Sequence, residues 1–237
     1  MERTEQLWPG GPRYHYDEQC FPPSTDSFLL GGFAAPRRGE RVCDLGAGAG
    51  LLGMLLLARE PSLQVTGIEW DAHACEMLVR NAAVNGLAMT ALCADLRQRD
   101  ALPAGAFQLA VSNPPYFAPH TGAVAEGARG SARAELTASL EDIFAAAERL
   151  LQWGGRFCLV YRPERLAALM AAAAAHGLEP KRLRLVQHTA QSAPSLLLLE
   201  CRRGGKPGLS VEPPLLLHLP DGGESPDVRR AYFRDKE

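Results

Sequence analysis

The run Asp44-Leu45-Gly46-Ala47-Gly48-Ala49-Gly50 constrains the fold of this chain more than any other stretch. It is entered from Arg41-Val42-Cys43, a short strand of buried type, and left through Leu51-Leu52-Gly53-Met54-Leu55-Leu56-Leu57, an apolar helix. Glycine reaches backbone conformations that a Cβ forbids and lets another group approach the main chain closely. Three glycines at alternate positions between a strand and a helix therefore mark a tight turn, which presents the first N–H groups of the helix to a ligand.

Hydrophobic periodicity extends the pattern along the chain. Strands are expected at residues 41–45, 64–69, 90–94, 107–112 and 156–161. Helices are expected at 51–59, 72–85, 139–152 and 163–176, the last three closed by Gly86, Gly154-Gly155 and Gly177. Two final strands, 182–188 and 195–201, have little chain between them and should pair antiparallel. The expected fold class is α/β: a doubly wound, Rossmann-like, mostly parallel seven-stranded sheet with one antiparallel strand near the end. Ligands of such sheets bind beyond the carboxyl ends of the strands, where the glycine turn falls. Two stretches read as irregular, residues 117–136 and the Pro/Gly-rich tail from Gly204.

A length of 237 residues with 46% hydrophobic content suffices for one large α/β domain. No apolar run is long enough to span a bilayer, and Arg3, Glu5 and Pro9 interrupt any leader-like pattern, so a cytoplasmic protein is expected. The six cysteines form no Cys-x-x-Cys pair, which predicts neither a disulfide framework nor a metal site. Cys43, Cys93 and Cys158 sit in apolar runs and should be small core residues. Charge is uneven: residues 1–144 hold 11 Lys+Arg against 17 Asp+Glu, and residues 145–237 hold 14 against 10. The clusters Lys181-Arg182-Leu183-Arg184 and Arg202-Arg203-Gly204-Gly205-Lys206 suit phosphates, and equally a solvated face.

The glycine turn admits more than one cofactor. Glu69, 19 positions past Gly50 at the end of the next strand, can accept both hydroxyls of a ribose. Asp95, after the third strand, can accept from an adenine amino group. Gly48-x-Gly50-x-x-Gly53 also satisfies a dinucleotide pattern. Asp44 would set a negative charge beside a pyrophosphate, whereas S-adenosylmethionine carries an ammonium and a sulfonium that use it. A turn that merely packs helix on strand is the plain alternative.

Downstream, the apolar run Phe107-Gln108-Leu109-Ala110-Val111-Ser112 ends in Asn113-Pro114-Pro115-Tyr116. The exocyclic amine of adenine is a poor nucleophile because its lone pair is delocalised into the ring. The Asn113 side-chain carbonyl and the Pro114 backbone carbonyl can each accept one of its N–H bonds, drawing the nitrogen towards tetrahedral geometry. The prolines limit the conformers of the turn, and Tyr116 can stack on a flat acceptor. By itself the tetrapeptide also reads as a strand-capping turn.

Residues 44–50 with Glu69, Asp95 and Asn113-Pro114-Pro115-Tyr116 resemble the motif series of class I S-adenosylmethionine-dependent amino-methyltransferases. The chain is further similar to the small-domain tRNA1(Val) adenine-37 methyltransferase type. That likeness takes in Phe21-x-x-Ser24-Thr25-Asp26-Ser27-Phe28-Leu29-Leu30, Ala132-Arg133-x-Glu135-Leu136-Thr137 and Gly154-Gly155-Arg156-Phe157. It continues through Arg162-Pro163-Glu164-Arg165-Leu166, Pro180-Lys181-Arg182-Leu183-Arg184 and Gly205-Lys206-Pro207-Gly208-Leu209. The resemblance implies S-adenosylmethionine held by Asp44, Gly46, Gly48, Gly50, Glu69 and Asp95, with Thr25 and Asp26 closing its methionine end. Asp26 has the alternative of capping a helix that begins near Ser27. Asn113, Pro114 and Tyr116 would carry catalysis. It implies three parts: an N-terminal segment at 1–40 that closes the site, a catalytic domain at 41–203 and a C-terminal extension at 204–237.

The expected acceptor is the exocyclic nitrogen of adenine in RNA, most simply tRNA, with neither membrane nor metal as partner. Residues 117–136, with Arg129 and Arg133, are the expected lid. Tyr14, His15 and Tyr16 are expected as surface hairpin residues, with enclosure of the acceptor as the alternative. A glutamine side chain in a protein offers the same planar nitrogen, but only about 40 residues precede the cofactor turn, little for a helical substrate domain. DNA or rRNA acceptors, and a non-catalytic RNA scaffold, are the other readings.

Overall fold

The computed structural model describes residues 1–99, 103–116 and 138–235. The chain opens with an antiparallel hairpin, β1 (Arg3–Gln6) and β2 (Arg13–Tyr16), and α1 (Thr25–Phe33). Then β3 (Arg41–Leu45), α2 (Leu51–Arg59), β4 (Gln64–Glu69), α3 (Ala72–Val84), β5 (Met89–Cys93) and β6 (Phe107–Ser112) alternate. Beyond these come α4 (Leu140–Leu150), β7 (Leu151–Tyr161), α5 (Leu166–Ala175), β8 (Leu178–Gln187) and β9 (Pro194–Arg203). The tail adds β10 (Ser210–Val211), β11 (Leu215–Leu216) and α6 (Pro226–Ala231).

Strand order is β10-β8-β9-β7-β6-β3-β4-β5, with β11 also on β8. β3 lies between β4 and β6, parallel to both, and β9 runs antiparallel between β7 and β8. The seven expected strands and their one antiparallel member are therefore present, and the tail lengthens the sheet by two short parallel strands on β8. The order reverses between β3 and β6, and a crevice outside the strand ends forms at such a reversal.

Four of the five residues of β3 are buried, as a central strand covered on both faces requires. One core packs α1, α2, α3, α6 and the hairpin on one face of the sheet. The other packs α4 and α5 on the opposite face. α4 starts at a capping box in which Ser139 and Asp142 satisfy each other's backbone N–H groups. Among the described residues no helix is long and apolar enough to cross a membrane.

Several boundaries differ from expectation for visible reasons. α4 ends at Leu150, and β7 begins at Leu151 rather than at residue 156, because its first residues pair with Phe107 across a register shift. β8 begins at Leu178, ahead of Pro180, and a register shift between Pro180 and Arg182 absorbs the donor that proline lacks. The helix expected from residue 163 opens with a 3-10 turn, Pro163–Arg165. Cys43 and Cys158 are buried, whereas Cys93, the last residue of edge strand β5, is exposed. The expected surface hairpin exists, yet Tyr14 and Tyr16 are core residues at 2% and 4% exposure. α3 secures it: Asn81 bonds both His15 N–H and His15 C=O, and Asn85, one turn on, does the same for Arg13. These amides stand in for a third strand.

Candidate active site

The carboxyl ends of β3 and β4 are tied together through the glycine turn. Gly46 N–H and Ala47 N–H both donate to the Ile68 carbonyl, at 2.9 and 3.1 Å. Gly48 N–H donates to Glu69 Oε2 at 2.9 Å, while Glu69 Oε1 accepts from Trp70 and Asp71 N–H at 2.9 and 3.0 Å. A carboxylate has about four acceptor positions, so Glu69, only 8% exposed, keeps roughly one for a ligand.

The three glycines divide by function. Gly46, Gly48 and Gly50 all have positive φ, at 73°, 54° and 89°. Among the described residues, a Cβ added at Gly46 or Gly48 would meet nothing within 4 Å, so that part of the turn is open to them. One added at Gly50 would lie 2.8 Å from Met89 and 2.9 Å from Leu78, so Gly50 is where α2 and α3 close on the sheet.

Asp44 is 2% exposed, and its Oδ2 has no hydrogen-bond partner among the described residues. Burial pushes its pKa up to about 7, against a backbone hydrogen bond from Gly53 and with a smaller push from the Glu69 charge. A buried carboxylate oxygen beside an open glycine cradle fits a cationic group, so the residues present suit S-adenosylmethionine. Asp95 follows β5 and is clasped by Arg97 at 2.6–2.9 Å, which holds its carboxyl below the usual range.

The acceptor turn is locked against this cradle. Ser112 Oγ donates to the Leu45 carbonyl at 2.8 Å, and Asp44 is in register with Val111. Asn113 Nδ2 donates to Ser27 Oγ at 3.0 Å. The Tyr116 hydroxyl donates to Asp26 and lies 3.4 Å from Asn113 Oδ1. Burial first, and then Asp26, raises the Tyr116 pKa. Its ring meets Tyr161 edge to face at 5.4 Å, and the Arg162 guanidinium lies 4.8 Å from its centroid.

Thr25 and Asp26 occupy the first turn of α1, whose N-cap is Ser24 rather than Asp26. The Thr25 hydroxyl accepts from Tyr232, at 2.8 Å, on the side of the C-terminal helix. Asp26 faces Tyr116. Three residues that sequence reasoning did not single out thus bear on the site: Ser27, Arg162 and Tyr232. Ser27 and Arg162 lie within the family-like segments at 21–30 and 162–166. Tyr232 is 207 positions from its partner, and no local pattern announces it.

Three arginines of the basic clusters have carboxylate partners within the chain, while Arg202 and Lys206 are exposed. Arg182 pairs with Glu200 and Glu212 and donates to Phe33 O, and Arg184 pairs with Asp227. Arg203 pairs with Glu148, and Arg202 donates to Gly154 O. Asp17, Cys20 and His73 are the one group of metal-type ligands found among the described residues. Asp17 accepts from Gln19 and Cys20 N–H, and its Oδ2 lies 2.8 Å from His73 Nε2, clipping the hairpin exit to α3. The expected lid, with Arg129 and Arg133, lies outside the described residues, as does the 132–137 segment.

The methyltransferase small domain model matches residues 24–176. A tRNA1(Val) (adenine(37)-N6)-methyltransferase of Dickeya chrysanthemi is 33% identical over 195 residues, covering 81% of this chain and 76% of its own. The enzyme of the same name from Porphyromonas gingivalis is 33% identical, covering 75% and 73%. Among solved structures, a predicted O-methyltransferase from Agrobacterium tumefaciens superposes with a TM-score of 0.73 at 26% identity, over 89% of this chain and 96% of its own. With a match spanning the turn of α1, the glycine turn and the acceptor turn, the chain belongs to the methyltransferase small domain family and is an S-adenosylmethionine-dependent methyltransferase.

Proposed function

We propose that this enzyme transfers a methyl group to the exocyclic N6 of an adenine in tRNA. The observation that carries the reading is the bond from Ser112 Oγ to Leu45 O, which sets the Asn113 turn against the Asp44 cradle. The names of the Dickeya and Porphyromonas relatives support adenine and tRNA as the acceptor.

S-adenosylmethionine supplies an electrophilic methyl group when bound. Asp44 would hold its ammonium, Gly46 and Gly48 would give it room, and Gly50 would shape the turn. Glu69 would take a ribose hydroxyl, and Asp95, already neutralised by Arg97, would use a remaining lone pair for the adenine amine. Asn113 Oδ1 and the Pro114 carbonyl would accept the two N–H bonds of the target amine and aim its lone pair at the methyl group. The proton leaves after transfer, so a neutral amide suffices. Tyr116, steadied by Tyr161 and Arg162, offers the base a ring. Asp26 acts through Tyr116, and Thr25 through the turn that carries both.

The direct test is tritiated S-adenosylmethionine with bulk tRNA from a strain lacking the gene. Labelled N6-methyladenosine in the digested tRNA is expected, and label appearing only in protein would defeat the reading. Asn113→Ala should leave cofactor affinity within about twofold and slow methyl transfer by about 100–1000-fold.

A further inference from the structure

We infer that Ser27 is a positioning residue that turns the carbonyl end of the Asn113 amide towards the acceptor, an inference that rests on the adenine-amine reading above. A side-chain amide can be held either way round, and the two orientations have opposite chemistry. With Oδ1 outward, Asn113 accepts from the target amine. Flipped, it would present two donors to a group that is itself a donor.

What decides between them is the first turn of α1. Ser24, the N-cap, accepts the Ser27 N–H on its Oγ at 3.4 Å, and the Ser27 hydroxyl lies 3.2 Å from that same oxygen. The Ser27 oxygen accepts from Asn113 Nδ2, which leaves the Ser27 proton for the Ser24 oxygen 3.2 Å away. The N–H2 end of Asn113 thus lies 3.0 Å from Ser27, and its carbonyl oxygen is turned to the side of the Tyr116 hydroxyl, 3.4 Å away. Ser27 is 6% exposed, too buried for water to replace it. Asp26 holds Tyr116 from the same turn, so one helical turn fixes both polar groups of the acceptor motif. The turn itself is fastened from behind: Tyr232 donates to Thr25 and stacks on Phe28 with ring centroids 4.2 Å apart.

The experiment compares the full chain with Ser27→Ala, Asn113→Ala and the double variant, at saturating cofactor and tRNA. Ser27→Ala should lower kcat about tenfold with both KM values within about twofold, since a contact realised only in the transition state moves kcat. If Ser27 acts through Asn113, the double variant is no slower than Asn113→Ala by more than about twofold. A readout free of RNA accompanies these rates. In 15N-labelled protein the Asn113 Nδ2 proton facing Ser27 should exchange slowly with solvent, and in Ser27→Ala it should exchange as an open side-chain amide does. Wild-type kcat in Ser27→Ala, multiplicative losses in the double variant, or unchanged amide exchange would each overturn the inference. If the wild-type enzyme puts no methyl group on RNA, the adenine reading falls, and the exchange comparison alone decides the role of Ser27.

Discussion

A carboxyl group sealed at the end of a central strand, with one oxygen unpartnered among the described residues, should set the pH response of cofactor binding. With its pKa pushed up to about 7, Asp44 is largely protonated in the ligand-free protein below that pH. A cationic ligand requires the ionised form, so each pH unit below about 7 should weaken S-adenosylmethionine binding by about tenfold, a slope that Asp44→Asn removes along with most of the affinity. Calorimetric titration between pH 5.5 and 8.5 measures it; a flat wild-type profile would contradict the assignment. The stability effect has the opposite sense. A carboxyl whose folded pKa is raised contributes stability fully below its unfolded value and loses it as pH rises through the folded one. The thermal stability of Asp44→Asn relative to wild type should therefore increase from pH 4 to pH 8 in the ligand-free state. The neighbouring glycines separate binding from packing in the same way. Gly48→Ala puts a methyl into the open cradle and should cut cofactor affinity by about tenfold or more, at a folding cost of about 1–2 kcal/mol for the left-handed backbone. Gly50→Ala adds a clash with Leu78 and Met89 to that backbone cost. It should lose more in Tm than Gly48→Ala does, by about 2–4 °C for each further kcal/mol.

At the scale of elements, the turn of α1 joins parts of the chain that local pattern treats separately. The sequence makes β3, β4 and β6 plain, because each is a short apolar run ending in a residue type that needs a reason to be there: Asp44, Glu69, Asn113. It makes the glycine turn plain for the same reason. It does not reveal that Thr25 answers to Tyr232, or that Asn81 and Asn85 complete the hairpin edge, because those partners stand 207, 66 and 72 positions apart. Nor does an apolar run distinguish an edge strand from a central one, which is why Cys93 reads as core and is exposed. The Tyr232 contact ties the end of the C-terminal helix to the turn of α1 that meets Asn113 and Tyr116. Tyr232→Phe removes one hydroxyl and keeps the ring that stacks on Phe28. It should lower Tm by about 2–4 °C, the scale of one lost hydrogen bond in a chain of this size. It should also slow methyl transfer without changing cofactor affinity. An unaltered rate with a lowered Tm would reduce the contact to a purely structural one.

At the scale of the whole molecule, two arginines of the C-terminal half, Arg182 and Arg184, hold the tail to the sheet through Glu212 and Asp227. A basic sequence run looks the same whether its partners are phosphates or distant carboxylates, and here Glu200, Glu212 and Asp227 were too far along the chain to be read as partners of Arg182 and Arg184. Arg184 is the discriminating position: its guanidinium meets Asp227 at 2.6 Å and the Pro213 carbonyl at 3.0 Å, with 21% of the side chain exposed. Were it a phosphate contact, Arg184→Ala would lower the slope of log affinity against log salt by about one and leave folding untouched. As an internal strut it should do the reverse. The tail would loosen from β8, Tm would fall by about 2–4 °C for each kcal/mol lost, and the salt slope of tRNA binding would stay at its wild-type value. Filter binding at several salt concentrations, paired with thermal melts of the same preparations, separates the two. A reduced slope with an unchanged melt would make Arg184 a phosphate contact instead.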